Sequence, residues 1–443
     1  MSHVFGRHTK WHFPVAVRGE GIHIYDSTGK RYVDASGGAA VSCLGHGNRE
    51  IKEAITAQLD RLDYAHTGFF TNEPQEALAD ALIAEAPPGL TRAFFISGGS
   101  EATEAALKLA RQYYLEIGQP QRRHVVSRWF SYHGNTLGAL SAGGNIARRE
   151  AYAPLLVEMR HISPCFAYRG KRDGESDEAY GRRVADELEA TILELGADSV
   201  CAFIAETVVG ATIGAVPAVA GYFRRIREIC DRYGVLLILD EVMCGMGRCG
   251  SLYACSEEGI VPDILTMAKG LGAGYQPIGA MLVAEKIFQA IAAGSGAFMH
   301  GHTYMGHPVA CAAALAVQRI IKRDGLIENV RRQGRVLERA LLERFGNHRH
   351  VGDIRGRGLF WAIELVEDRA SKAAFSPKRQ LNLRIKEAAL ERGLICYPMG
   401  GTVDGKAGDH VILAPPFNAE ARQIEEIVAL LGDSVDAALA RPL

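Results

Sequence analysis

Leu236-Leu237-Ile238-Leu239-Asp240-Glu241-Val242, and Ala268-Lys269-Gly270-Leu271-Gly272, whose lysine follows Asp240 by 29 residues, decide the reading of this chain. The apolar run 235–239 is too short and too uniform for an amphipathic helix, so it reads as a central strand buried on both faces. Asp240 then stands at its carboxyl edge. Residues 264–267 form a second such run, which delivers Lys269 to a glycine-rich turn at the same edge of the sheet. An open α/β sheet binds its ligands there.

Outward from this pair, strands are predicted at 93–96, 124–127, 200–205 and 280–284, mostly with helical segments between them. That alternation implies a largely parallel sheet covered by helices on both faces. Residues 22–34 read as a hairpin around Asp26-Ser27-Thr28-Gly29. The polar stretch 170–183 reads as a surface excursion. A long helix over 308–323 leads out of the sheet region, after which 358–365 and 411–414 are strands among helices.

The 443 residues, 48% hydrophobic, suffice for a large core and two domains. A net charge of -1 leaves no electrostatic footprint for nucleic acid or an anionic membrane. No apolar run reaches the ~18 residues of a membrane helix. Residues 1–7 hold no apolar signal region, so a cytoplasmic location is expected. Nine cysteines without a Cys-x-x-Cys pair are expected as reduced thiols. Cys244, Cys249 and Cys255 lack zinc-like spacing and read as packing residues; no metal site is assigned. His300, His302 and His307 read as part of a loop lining a ligand site.

Phe94-Phe95-Ile96-Ser97-Gly98-Gly99-Ser100-Glu101 joins a short strand to a long helix whose apolar stripe is Leu107, Ala110, Tyr114 and Ile117, with Lys108, Arg111 and Gln112 off it. Free amides at Gly99 and Ser100 would point from a helix start toward an anion. Taken singly, each feature has a plain structural explanation: Ser100 as an N-cap, Asp240 as a turn residue, Lys269 as a solvated side chain. Together they suit pyridoxal phosphate. A lysine holds the aldehyde as a Schiff base, and a buried carboxylate keeps the pyridine nitrogen protonated. An opposite charge at close range is worth roughly 1 to 3 pKa units to such a base.

With these residues in this order, the chain resembles the class III aminotransferases, pyridoxal-phosphate enzymes of fold type I, over nearly its whole length. The resemblance implies an α/β fold: a large domain with a mainly parallel seven-stranded sheet (51–325) and a small α+β domain built from both termini (1–50 and 326–443). It implies a homodimer with shared active sites. Lys269 would be the Schiff-base lysine and the proton-moving base. Asp240 would partner the pyridine nitrogen, and Val242 and Tyr132 would flank the ring, with His133 beside them. Gly99 and Ser100 would hold the phosphate, Thr303 would reach the phosphate of the neighbouring subunit, and Glu206 matches an active-site glutamate. The implied reaction moves an amino group from a primary amine or ω-amino acid to an α-keto acid, with pyruvate preferred.

Three departures stand out: Met243 where many relatives have glutamine, Gly98 for a serine, and Thr207 for a proline. An arginine used by several relatives for the substrate carboxylate is missing from Thr402-Val403-Asp404-Gly405-Lys406-Ala407, which leaves Lys406, Arg355 and Arg357 as candidates. Phe69, Phe70, Trp11 and Tyr304 are either core or pocket residues. Two competing classes fit the sequence less well. Residues 236–241 fit the magnesium-binding strand of P-loop ATPases, but 400–406 ends in Ala407 where a hydroxyl should follow and leads into a strand rather than a helix. A binding protein without catalysis is disfavoured by the full set of cofactor residues. Decarboxylation, racemisation or amino-group migration on the same fold stay open as alternatives.

Overall fold

The computed structural model describes residues 3–9 and 11–441; Met1 and Ser2 of the segment read for a signal lie outside the described residues. A seven-stranded sheet organises the fold in the order Leu90–Ile96, Gly279–Ala284, Ile264–Met267, Leu236–Asp240, Val200–Glu206, His124–Arg128, Arg160–Ile162. Only Gly279–Ala284 runs against the others. The expected α/β architecture with a mainly parallel sheet is therefore present.

Strand Leu236–Asp240 is apolar throughout because each face meets a different core. Leu237 and Leu239 pack with Val184, Leu188, Phe223 and Ile226, while Leu236 and Ile238 pack with Ala105, Ala106, Leu109 and Ala110. The two-residue period of a strand assigns alternate side chains to the two layers. Each fully buried Leu or Ile here contributes about 1.5–3 kcal/mol.

The long helix spans Gly99–Glu116. Two parts of its expected stripe are corrected. Ile117 caps the helix and is 38% exposed, since the helix ends before it. Gln112 is buried because its amide holds the 295–299 loop, donating to Ala297 O at 2.8 Å and accepting from Met299 N at 2.9 Å. The excursion at 170–183 is also shorter than read. Ser176 caps a helix, Asp177–Leu195, by accepting from Ala179 N, and Tyr180 is already core. Pro308–Arg323 is a helix at the predicted residues, with proline in its first turn.

Two four-stranded sheets and a two-stranded ribbon, Val208–Val209 with Val216–Pro217, accompany the large sheet among the described residues. One four-stranded sheet joins Val351–Arg357, Phe360–Leu365, Asp409–Leu413 and Tyr397–Gly400. The other joins Ala16–Glu20, His23–Asp26 and Arg31–Asp34 to Leu394–Ile395, the last pair in parallel, so early and late segments of the chain share one sheet. Ile22, Val33, Ile363 and Leu413 lie in a common core. Residues 400–406 fall in the hairpin between Tyr397–Gly400 and Asp409–Leu413, with no helix start to receive a phosphate.

Candidate active site

Three strand ends build the site. Asp240 pairs in register with Glu206 on one side and with Thr266 on the other, so both carboxylates and the turn carrying Lys269 reach one sheet edge. Asp240 has the parity of Leu236 and Ile238, and Glu206 that of Ala202 and Ile204. Both therefore face the layer of the helix Gly99–Glu116. Lys269 opens a single 3-10 turn at a positive φ of 46°, uncommon for a residue with a side chain. Such conformations persist where the surrounding structure over-determines them, and they gather at functional sites.

Eight of the nine predicted site residues line one cavity of about 160 Å3: Lys269, Asp240, Glu206, Gly99, Ser100, Tyr132, His133 and Val242. A wider cleft of about 760 Å3 opens near the amino ends of the same strands. Its one buried carboxylate, Asp263, is already taken by Arg227 and Lys286. The smaller cavity holds the unpaired chemistry.

Asp240 is 3% exposed and accepts from His133 Nδ1 at 2.7 Å and from Val242 N at 2.9 Å. A carboxylate only accepts, so the Nδ1 position carries the proton. The other ring nitrogen of His133 is buried without a partner. Glu206 accepts from Tyr132 N at 3.0 Å and Gly210 N at 2.8 Å, and burial raises its pKa above the ordinary carboxylate value despite the opposing pull of His133. The backbone carbonyl of Lys269 accepts from Gly272 N and Ala273 N, while among the described residues its side-chain amine makes no hydrogen bond and no ion pair. It lines the cavity, its amine is enclosed by protein, and burial pushes its pKa below that of an ordinary lysine while Asp240 and Glu206 pull it back up.

The helix start is open in front and crowded behind. Gly98 is its N-cap with no side-chain cap, and a Cβ there would meet nothing within 4 Å. A Cβ on Gly99 would come 2.7 Å from Val242 Cγ1. Gly134, at φ +140°, lets its backbone pass Ser100, whose Oγ accepts from Asn135 N at 3.0 Å. Backbone amides at such a start bind anions.

Thr303, the ninth residue, is exposed and outside the cavity; its carbonyl accepts from Tyr64 Oη at 2.9 Å. His300, His302 and His307 likewise do not line it, nor do Phe69, Phe70, Trp11 and Tyr304. Phe69 and Tyr304 are 82% and 62% exposed, so neither is core. Cys244 and Cys249 pack with Phe360 and Ile412, and Cys255 with Tyr253.

Sequence reasoning missed Glu241. It points to the opposite face from Asp240, is fully buried, and accepts from Ala254 N at 2.7 Å, Cys255 N at 2.6 Å and Thr207 Oγ1 at 3.1 Å. Burial pushes its carboxyl up to about 7. Thr207 thus ties two strand ends together. Arg355 is excluded as a free carboxylate anchor, because its guanidinium already binds Asp353, Glu364 and two backbone carbonyls. Arg357 is paired to Glu258 at 2.8 Å. Lys406 is exposed on the hairpin turn.

An unpartnered buried imidazole nitrogen, a buried carboxylate, a free enclosed amine and an uncapped helix start converge on one small space. That donor set fits a phosphorylated pyridine aldehyde.

The model of the family described as aminotransferase class-III matches residues 5–435. The chain belongs to the class III aminotransferases, enzymes that depend on pyridoxal 5'-phosphate. It is 46% identical over 428 residues to an uncharacterized aminotransferase of Schizosaccharomyces pombe, covering 96% of this chain and 93% of that one. It is 35% identical over 423 residues to the putrescine–pyruvate aminotransferase of Pseudomonas aeruginosa, covering 95% and 90%. The omega transaminase from Pseudomonas jessenii, solved in complex with PMP, superposes with a TM-score of 0.92 at 34% identity, covering 99% of this chain and 96% of that one.

Proposed function

We propose that this enzyme carries an amino group from a primary amine or ω-amino acid to an α-keto acid, with pyruvate as the preferred acceptor. The observation that carries the reading is the convergence of Lys269, Asp240 and the open helix start on one cavity. The similarity to a putrescine–pyruvate aminotransferase supports pyruvate.

In this reading the amides of Gly99 and Ser100 hold the cofactor phosphate, Asp240 faces the ring nitrogen, Val242 and Tyr132 flank the ring, and Lys269 meets the aldehyde. Pyridoxal phosphate, when bound, supplies a carbonyl that carries the amino group between substrates and a ring that takes up the electrons of a breaking C–H bond. The chain supplies the rest. Lys269 Nζ moves the proton; its lowered pKa makes the neutral amine more available near neutral pH than that of a surface lysine. His133 and the Val242 amide fix the Asp240 carboxylate so that it need not reorganise during the reaction. Glu206 positions the Tyr132 backbone.

We also read the enzyme as a homodimer, in which Thr303 completes the partner's phosphate site, and residues 51–325 as its large domain, with 1–50 and 326–443 as its small one. Nine buried, unpaired cysteines agree with a cytoplasmic setting.

Following alanine formation from pyruvate over a panel of amine donors tests the reading. Lys269→Ala should lose at least ~10^3-fold in rate and change the near-visible absorbance of the purified protein. Near-normal transamination by that variant would refute the role of Lys269. Stoichiometric conversion of keto acid to amino acid separates amino transfer from decarboxylation, racemisation and amino-group migration.

A further inference from the structure

A keto acid brings a carboxylate, and most cations considered for it are already engaged. Arg148 is not. It lies exposed on the short helix Ile146–Glu150, with its guanidinium carbon 5.0 Å from the centre of the Tyr132 ring. Among the described residues its side chain makes no ion pair and no hydrogen bond, and Glu150 on the same helix does not pair with it. Tyr132 lines the cavity and Arg148 does not, so this charge stands one aromatic ring away from it.

Tyr397 marks the same place from another strand. Burial raises its pKa, Arg148 and Arg7 lower it, and Tyr132 raises it, so both cations lie within electrostatic reach of this phenol. Among the described residues Arg7 also lacks an ion pair. The hairpin turn 401–408 packs on the helix that bears Arg148: a Cβ at Gly405 would come 2.7 Å from Ile146 Cβ, so backbone there supports the helix closely. A guanidinium lying over an aromatic face keeps its N–H edge free, and its planar fork matches a carboxylate through two parallel bonds.

We propose that Arg148 receives the substrate carboxylate, with Arg7, also within reach of Tyr397, adding positive potential, so that this enzyme selects carboxylate-bearing acceptors through a residue beside Tyr132. The proposal rests on the transaminase reading above. Arg148 is a specificity residue here and takes no part in moving protons.

The test compares pyruvate with propanal, an acceptor of similar size without the carboxylate, using one amine donor and the holoenzyme. Arg148→Met should lower kcat/KM for pyruvate roughly tenfold to a hundredfold, with a loss for propanal at least about five times smaller, and Arg148→Lys should recover part of the difference. Calorimetric titration with propionate, which needs no turnover, should weaken by a similar factor in Arg148→Met. Equal losses for both acceptors, or an unchanged value for pyruvate, would overturn the proposal. A wild-type enzyme that aminates neither acceptor would instead overturn the reading of pyruvate as the acceptor, and propionate binding that still depends on Arg148 would keep the anion site.

Discussion

His133 Nδ1 and Asp240 Oδ2 stand 2.7 Å apart with both side chains closed off from solvent. With Val242 N on the other oxygen, the carboxylate is held at both ends by the protein before any ligand arrives. Asp240→Asn keeps the shape and removes the charge. We expect part of the cofactor binding to survive and single-turnover proton transfer to slow by ~10^2 to 10^4-fold, followed by stopped-flow absorbance. An unchanged rate would remove Asp240 from the chemistry.

Gly99 is required by Val242. The side chain of Gly99→Ala would sit 2.7 Å from Val242 Cγ1, so either the helix start or the valine must move. The apparent Kd for pyridoxal phosphate should rise about tenfold, and adding Val242→Ala should restore part of that loss, as measured by fluorescence titration. If the double variant binds no better than the single one, crowding against Val242 is not the cause.

Glu241 sets a pH dependence of stability. Its folded value of about 7 lies above the ordinary 4.5, so its contribution is complete below about pH 4.5 and is lost as pH rises through about 7. His410, buried and pushed down to about 3, acts in the opposite direction, losing its contribution as pH falls below 6.5. Glu241→Gln should therefore gain relative to wild type as pH rises from 4.5 to 8, by up to ~3 kcal/mol, and leave a steeper rise of stability with pH. Urea midpoints across that range read the difference; a pH-independent offset between the proteins would contradict it.

Thr303 is exposed and outside the cavity of its own chain. In the proposed dimer Thr303→Ala should release pyridoxal phosphate several-fold faster on dialysis, consistent with about 1 kcal/mol for one hydrogen bond, while the sedimenting mass stays that of a dimer. A monomeric wild-type enzyme with full activity would contradict the shared site.

The central strands, the helix start and the pair Asp240 and Lys269 were legible because apolar runs, glycines and strand ends carry local signals. Arg160–Ile162 was not: three residues with one apolar side chain at a sheet edge have no period to detect. Gln112 and Glu241 escaped for a different reason. Each is a buried polar group whose partners, at 295–299 and at 207 and 254–255, are distant in sequence or on a neighbouring loop, and only the folded chain displays them. Arg148 belongs with them, since nothing near it in sequence announces Tyr132.

The parallel pairing of Val33 with Leu394 carries a message about biogenesis. A strand made early in translation cannot find its neighbour until about 360 more residues have left the ribosome, and closing so long a loop is entropically slow. The hairpin of residues 23–34 must wait with an unfilled edge while the large sheet assembles, so its docking should be a late event in maturation and the step at which a chaperone gives the most help.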